Sequence, residues 1–378
     1  ASDVTNLYNE TNVPTANLVA HYKLDGNAND SAGSNNGTAT SITYSDPAEF
    51  PAYDGTATNV LYAYDGTPTN VGFIGTSFQP DLVWIKDRDD SQNNHHLFDI
   101  IRGTNIRLMS NLTNAENTEI DCFNSFDSNG FSLGANAGVN YTGRDFVAWC
   151  WKAGGTAASN TDGSITSSVS ANSDAGFSIV KYTAPSGSQT KFTAGHGLSS
   201  APELVITRRI GGTTQWYTYH SALGAEKAIY LNLTNAASSA VTDFWGTDGM
   251  SSTTIGLTTD QACYPTEEHI AYCFHSVDGY QKVGSYTGNA SSLNTISVGF
   301  APRFVLFKRT DSTGSWRMFD SMRGTDKSIT ANSSDAEYDD TQNYVDFTSD
   351  GFEFNRTVSQ ANPDLNSTGG TYIYLAIA

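Results

Sequence analysis

Short runs of β-branched and aromatic residues recur along the chain, each bounded by Gly, Asn, Asp or Ser: Leu82 to Lys86, Gly176 to Tyr182, Glu203 to Thr207, Gln215 to Tyr219 and Phe304 to Lys308. Runs of this length with turn residues between them predict strands. The best helix candidate, Ala225 to Leu231, is short. A second kind of run, Val147 to Trp151, Ile270 to Phe274 and Ile373 to Ile377, is apolar at successive rather than alternate positions. A strand with that pattern is expected to be buried on both faces.

These elements fall into three copies. Pro80-Asp81-Leu82-Val83-Trp84-Ile85-Lys86 returns as Pro202-Glu203-Leu204-Val205-Ile206-Thr207-Arg208 and as Pro302-Arg303-Phe304-Val305-Leu306-Phe307-Lys308. Phe98-Asp99-Ile100-Ile101-Arg102-Gly103-Thr104 returns as Phe319-Asp320-Ser321-Met322-Arg323-Gly324-Thr325, with Tyr219-His220-Ser221-Ala222-Leu223-Gly224 between them. Leu112-Thr113-Asn114-Ala115 matches Leu233-Thr234-Asn235-Ala236, and Asn129-Gly130-Phe131 matches Asp350-Gly351-Phe352. Each copy ends on one of the doubly apolar runs, and Tyr64-Asp65-Gly66 and Tyr286-Thr287-Gly288 extend the unit upstream by a strand. The expected organisation is an N-terminal segment (1–58), a first β module (59–151), a Gly/Ser/Thr-rich linker (152–175) with a candidate strand at Ser164 to Val169, a second module (176–278) and a third (279–378). The predicted fold class is all-β: three tandem β-sandwich, jelly-roll-like modules after a short N-terminal β-hairpin over Leu18 to Tyr44. Three small cores are expected, with the second and third modules touching and the first more loosely attached. A single pseudo-threefold β-fold is the alternative architecture.

The copies act as an internal control, because a residue type kept in all of them serves the module rather than a unique ligand. Trp149 and Trp151 share a strand face in the manner of a sugar-stacking platform. Their equivalents are Tyr272 and Phe274, then Leu375 and Ile377, so they are expected in a module core. Trp245 aligns with Phe126 and Phe347, and Trp216 with Trp316 and His96, which assigns all three tryptophans to module structure. The other face of the closing strand, Ala148 and Cys150, Ala271 and Cys273, Tyr374 and Ala376, is expected to pack on another layer, a neighbouring module or a second copy of the chain.

Composition narrows the partners. The net charge of −19 comes from 39 acidic against 20 basic residues, so nucleic acid would be repelled and is not an expected partner. With 16% charged and 12% aromatic residues and abundant Asn, Ser, Thr and Gly, the chain has the composition of a β-rich extracellular or virion surface. No stretch approaches the roughly 18 to 20 apolar residues of a membrane span, so insertion is not expected. The chain begins at Ala1 without Met, which marks it as a processed product, an excised segment or part of something longer. Cys122, Cys150, Cys263 and Cys273 are too few for a disulfide scaffold; only Cys150 and Cys273 share a repeat position, so buried free thiols are expected.

Candidate chemistry is sparse. His95 and His96 point to opposite faces of a strand and read as a polar loop rather than a metal site. Lys86, Arg208 and Lys308 recur near Asp99 and Asp320, which suggests cross-strand ion pairs. Asp25-Gly26-Asn27-Ala28-Asn29-Asp30 has alternating oxygen ligands but lacks the distal Glu of an EF-hand, and reads as an Asx-rich turn. Glu267-Glu268 and Glu337 to Asp340 supply carboxylates, yet nothing singles out a glycosidase pair. No GxSxG, Walker, GxGxxG or HExxH motif occurs. No catalytic residue, metal ligand or cofactor is therefore expected. Recognition is expected on loops that share position but not sequence: Asp89 to His95, Ile210 to Gln215 and Thr310 to Ser315, and Thr258 to His269 and Val358 to Gly370.

Two resemblances follow from specific stretches. Asn17-Leu18-Val19-Ala20-His21-Tyr22-Lys23-Leu24-Asp25-Gly26-Asn27-Ala28-Asn29-Asp30-Ser31 resembles the opening of laminin-G-like (concanavalin A-like) lectin modules, and Ser2 to Glu10 resembles the close of one. Both are far shorter than a complete lectin domain. Phe78-Gln79-Pro80-Asp81-Leu82-Val83-Trp84-Ile85-Lys86-Asp87-Arg88, Ser128 to Gly134, Val147 to Gly155 and Ser164 to Val180 resemble a repeat of tail-fibre and virion-surface proteins of marine bacteriophages. This resemblance implies a location, at the virion surface or outside the cell, and not a ligand. The expected function is a non-enzymatic virion structural protein, a fibre or appendage segment, whose loops attach to a host envelope component, a glycan by expectation. Its implied partners are other virion proteins and further copies of the chain, a homotrimer by analogy with fibres. The alternatives are a polysaccharide-degrading tailspike-like enzyme, a ligand-free spacer or capsid decoration, and a bacterial adhesin.

Overall fold

Each copy pairs four strands in one order and one register, and the computed structural model describes them over residues 60–65, 72–247, 249–290, 293–339, 345–354 and 364–378. In every copy a leading strand pairs with the closing strand, the closing strand with the strand that follows the proline, and that proline strand with a return strand. The first copy uses Val60–Asp65, Asp145–Trp151, Leu82–Asp87 and His96–Asp99. The second uses Phe177–Thr183, Glu268–Phe274, Leu204–Arg209 and Tyr217–His220, and the third Gln281–Thr287, Thr371–Ile377, Phe304–Arg309 and Arg317–Asp320. All pairs are antiparallel. Leu82 stands opposite Trp151 and Asp99, Leu204 opposite Phe274 and His220, and Phe304 opposite Ile377 and Asp320.

A second, smaller sheet covers one face of each: Gly72–Gly75, Gly130–Leu133 and Phe123–Asp127 in the first copy, Lys191–Gly195 with Thr254–Thr258 in the second, and Asn294–Ser297, Gly351–Phe354 and Val345–Phe347 in the third. The glycine of the repeated Gly-Phe pair has a steric reason at Gly351, where a Cβ would stand 2.0 Å from the Ile296 carbonyl oxygen. The protein is all-β and built of sandwiches. Ala225 to Leu231 forms no helix; Ile229–Tyr230 is a strand, and the one helical turn among the described residues is the 3₁₀ segment Ser221–Leu223. The 152–175 segment supplies Ala158–Asn160 and Ser167–Asn172, which extend the second sheet to seven strands beyond its leading strand. The predicted N-terminal hairpin, the Asx-rich turn and the lectin-like stretches lie outside the described residues.

The closing strands are buried on both faces, as their pattern predicts, but the faces are exchanged relative to expectation. The small-residue faces look into the sandwiches: Ala148 and Cys150 pack with Phe98, Phe123 and Phe131, Ala271 and Cys273 with Trp245 and Leu257, and Tyr374 and Ala376 with Phe307 and Phe352. The large faces, Trp149 and Trp151, Tyr272 and Phe274, Leu375 and Ile377, meet one another in a fourth core shared by all three copies. There the Trp151 ring lies 6.5 Å from Phe274 and 6.0 Å from Phe304. The physical reason is volume. The second sheets already bring Phe123, Phe131 and Phe352 to the sandwich interior, leaving room for Ala and Cys, whereas three sheets meeting around an axis leave a wide gap that large side chains fill. Three separate cores are thus replaced by three sandwich cores and a common one, and the first copy is as firmly seated as the others.

The contacts between copies repeat in a cycle. Trp216 Nε1 donates to the Met109 carbonyl (2.9 Å), Trp316 Nε1 to Tyr230 (2.8 Å), and His95 Nε2 meets Thr330 (3.1 Å). The equivalent of the two tryptophans is therefore His95, one residue before the His96 of the sequence alignment. The backbone N–H of Glu116 donates to Ile210, that of Ala237 to Thr310 and that of Glu337 to Arg88. A contact that passes from each unit to the next and returns to the first describes a closed pseudo-threefold ring. Residues Ala57–Ala378 form one compact unit accordingly.

The first and third copies meet where no short connection joins them, and an ion-pair network clasps that junction. Glu337 accepts two hydrogen bonds from Arg88, both at 2.9 Å, and one from Arg323 at 2.8 Å, with 10% of its side chain exposed. Removing one partner of a buried pair leaves the other charge uncompensated. Glu337→Ala is expected to cost about 3–5 kcal/mol of unfolding free energy, measured by denaturant titration.

Acid should loosen the same fold. Burial pushes His96 down to about 3 and His220 and His269 to about 4. Against its own burial cost, hydrogen bonds from Arg88 and Arg323 hold the Glu337 carboxyl below the usual range. The unfolded chain takes up protons at His96, His220 and His269 from about pH 6.5 downward while the folded chain keeps these three neutral, so stability falls as pH drops from 6.5 towards 4. Thermal unfolding at pH 7, 6, 5 and 4.5 is expected to show a steadily decreasing midpoint.

Candidate functional site

Several residues singled out by sequence are structural. Lys86, Arg208 and Lys308 lie on the strand face that meets the central core, as do Asp99 and Asp320, but the expected cross-strand pairs do not form. In the antiparallel register Asp99 stands opposite Leu82, at the other end of the strand from Lys86. The buried cations instead cap backbone carbonyls: Lys86 those of Asp87 and Asp90, Arg208 those of Leu112, Thr113 and Asn114 in the neighbouring copy, and Lys308 those of Arg309 and Thr234. Burial lowers both lysines to about 8.

Asp99 pairs with Arg102 at 2.5 Å and Asp320 with Arg323 at 2.6 Å, and Tyr272 and Trp149 of neighbouring copies donate to these carboxylates. Glu116 lies 3.7 Å from Arg102 in the place that Glu337 takes beside Arg323. The second copy has His220, Leu223 and Ala237 at the three equivalent positions, so acid, arginine and second acid are absent together. Their joint replacement leaves no isolated buried charge. His95 and His96 are buried rather than in a polar loop. His95 accepts from Trp84 Nε1 at 2.8 Å, and His96 stacks beside Phe98. All four cysteines are buried free thiols, and all six tryptophans, Trp84, Trp149, Trp151, Trp216, Trp245 and Trp316, are buried, so none offers a sugar-stacking surface.

Accessible chemistry gathers where the proline strand ends and the closing strand begins. In the second copy the Arg209 guanidinium lies 4.4 Å from the Tyr264 ring centroid and 3.9 Å from Glu267. In the first, Arg144 stacks on Tyr141 at 4.4 Å and bonds Asp87 at 3.0 Å and Asp90. In the third, Arg309 lies 6.0 Å from Tyr372 and bonds Asp311 at 3.0 Å. Each copy thus carries an arginine, a tyrosine and a carboxylate at one level of the ring. Tyr141 and Tyr264 are exposed and Tyr372 is buried. The hairpin loops expected to vary for recognition also hold the ring together, since Thr214 N–H donates to Thr113, Gly314 N–H to Thr234, and Ser334 Oγ to Ser91.

Two recesses stand out. A shallow one of about 490 Å³ lies between Gln79, Asp81, Lys152 and Asn172. Burial raises the Asp81 pKa, although its carboxylate accepts from Gln79 and the backbone N–H groups of Ala153 and Gly155. It is the one carboxylate lining this recess, and glycoside hydrolysis in its common forms uses two. A more enclosed pocket of about 320 Å³ is lined by Asn94, Met109, Leu112, Asn114, Ala115 and Asn117. Among the described residues no group of three His, Cys, Asp or Glu could hold a metal ion, and no helix is long and apolar enough to cross a membrane.

Sequence comparison overlooked one recurring feature. Asn111, Asn232 and Asn332 each accept the backbone N–H before a return strand, that of His95, Trp216 or Trp316. The 320 Å³ pocket was also missed, because its residues are unremarkable in type. Its signal is a difference between copies: Met109 occupies the position of Tyr230 and Thr330.

The chain belongs to the family described as a domain of unknown function, DUF7483, whose model matches residues 56–378. No curated protein and no solved structure matches it.

Proposed function

We propose that this DUF7483 member is a non-enzymatic structural protein of a virion-surface appendage that attaches to a host envelope glycan. The observation that carries the reading is the closed ring with a shared core, which sets three sequence-variable loop clusters at one level of a rigid body. A rigid scaffold that carries loops of differing composition suits display, because binding groups held in place lose little freedom on contact. The ligand is a neutral glycan. A net charge of −19 repels polyanions. Eleven of the described lysines and arginines form ion pairs, and Lys86, Arg208 and Lys308 are buried against carbonyls, which leaves few bases for an anionic polymer. Other virion proteins and further copies of the chain, a homotrimer in the first instance, are the proposed neighbours at a location outside the cell.

The purified chain is expected to bind neutral envelope polysaccharides from marine bacteria saturably, without release of reducing ends in the same tubes. Release of reducing ends would favour the tailspike-like enzyme. Absence of both binding and release across a broad panel, with the protein folded, would favour a ligand-free spacer.

A further inference from the structure

The 320 Å³ pocket of the first copy has a lining whose chemistry specifies a ligand. Its six residues carry no ionisable group. The charges beside it are engaged within the protein: Arg208 bonds the Leu112, Thr113 and Asn114 carbonyls, Arg107 bonds Glu119 at 2.9 Å, and Glu116 lies 3.7 Å from Arg102. A neutral ligand therefore leaves no charge uncompensated. Partly buried Met109, Leu112 and Ala115 supply an apolar part, and the carboxamides of Asn94, Asn114 and Asn117 a polar part. A carboxamide has two N–H groups and two lone pairs, so beyond the bonds that Asn94 makes with Asn111, and Asn117 with Arg107 and Glu119, the three side chains keep capacity for hydroxyl and amide partners. The volume lies at the lower end of the roughly 300–1,000 Å³ of small-molecule pockets, the scale of one sugar ring with a substituent.

The pocket is also held in shape. Trp216 fixes the Met109 carbonyl, Arg208 fixes those of Leu112, Thr113 and Asn114, Asn111 donates to Asn94 at 2.7 Å, and Arg107 to Asn117 at 3.1 Å. A site so braced is ordered before its ligand arrives. The other copies provide the contrast. Tyr230 and Thr330 stand at the place of Met109, Asn235 and Asp335 at that of Asn114, while Ala236 and Ala336 match Ala115. Residues that packing alone requires recur in the ring; Met109 does not.

We propose that this pocket binds the acetamido group of a neutral N-acetylated hexosamine, with the methyl group against Met109, Leu112 and Ala115 and the amide and ring hydroxyls on the three asparagines. The proposal deepens the attachment reading and rests on it for the ligand's source, a host-envelope glycan.

The test uses the full chain and N-acetylglucosamine as probe, followed by saturation-transfer NMR and calorimetry, with glucose and glucosamine as controls. N-acetylglucosamine is expected to bind saturably and roughly tenfold or more tighter than either control, the discrimination that one well-placed apolar contact gives. Two variants borrow residues that other copies tolerate: Met109→Tyr, which fills the pocket, and Asn114→Asp, which charges it. Both are expected to lose the acetamido preference while keeping the thermal midpoint of the parent. Equal binding of N-acetylglucosamine and glucose, or undiminished preference in a folded Met109→Tyr protein, overturns the assignment. Polysaccharide binding in the same preparations separates the two claims. If it persists without acetamido preference, the pocket assignment fails and attachment stands. If it is absent while the acetamido preference holds and Met109→Tyr abolishes it, the pocket stands and attachment fails.

Discussion

The fold depends on one burial problem: each main sheet has two apolar faces and its own second sheet covers only one. The uncovered faces carry Trp149 and Trp151, Tyr272 and Phe274, and Leu375 and Ile377, and each such side chain is worth roughly 1.5–3 kcal/mol when removed from water. A lone copy would leave that surface in solvent. Three copies around an axis bury it completely, so the repeats are parts of one object rather than independent beads on a string.

Excluding water from the centre then fixes the polar groups. A buried donor or acceptor without a partner is costly, and the ring answers with the same bond made three times. The indole or imidazole before each return strand reaches a neighbouring carbonyl, and the strand-end cations Arg208 and Lys308 cap carbonyls of the copy before them, while Lys86 caps those of its own loop. Asp99 with Arg102 and Asp320 with Arg323 survive as complete buried sets, whereas the second copy has lost its set as a whole. The clasp of Arg88 and Glu337 stands where the ring has to close without a short connection, which is where covalent continuity contributes nothing.

Much of this was legible. The predominance of strand, the double burial of the closing strands and the structural nature of the tryptophans follow from periodicity and from comparing copies, and the described residues bear them out, although Ala225 to Leu231, the helix candidate, forms none. Which face of Val147 to Trp151 looks inward did not follow, because alternation divides residues into two sets without saying which meets the larger gap. The pairing of Asp99 was misread because proximity in sequence to Lys86 says nothing of their opposite ends in an antiparallel register. Arg88 and Glu337 are 249 positions apart, and no local pattern joins them. On the site, sequence comparison placed recognition on the variable loops, but could not foresee that those loops also hold the ring together or that a recess forms beside Met109.

A scaffold of this kind separates its tasks. The shared centre takes the residues that recur, and the rim is left to vary, which is the basis for reading it as an attachment device. The measurement that tests the central claim most directly is differential scanning calorimetry of the whole chain. A common core predicts that the three copies unfold together, in one transition whose calorimetric and van't Hoff enthalpies agree for the region from 57 to 378. Resolution of that region into separate transitions, with an intermediate that keeps some copies native while others have melted, would contradict it.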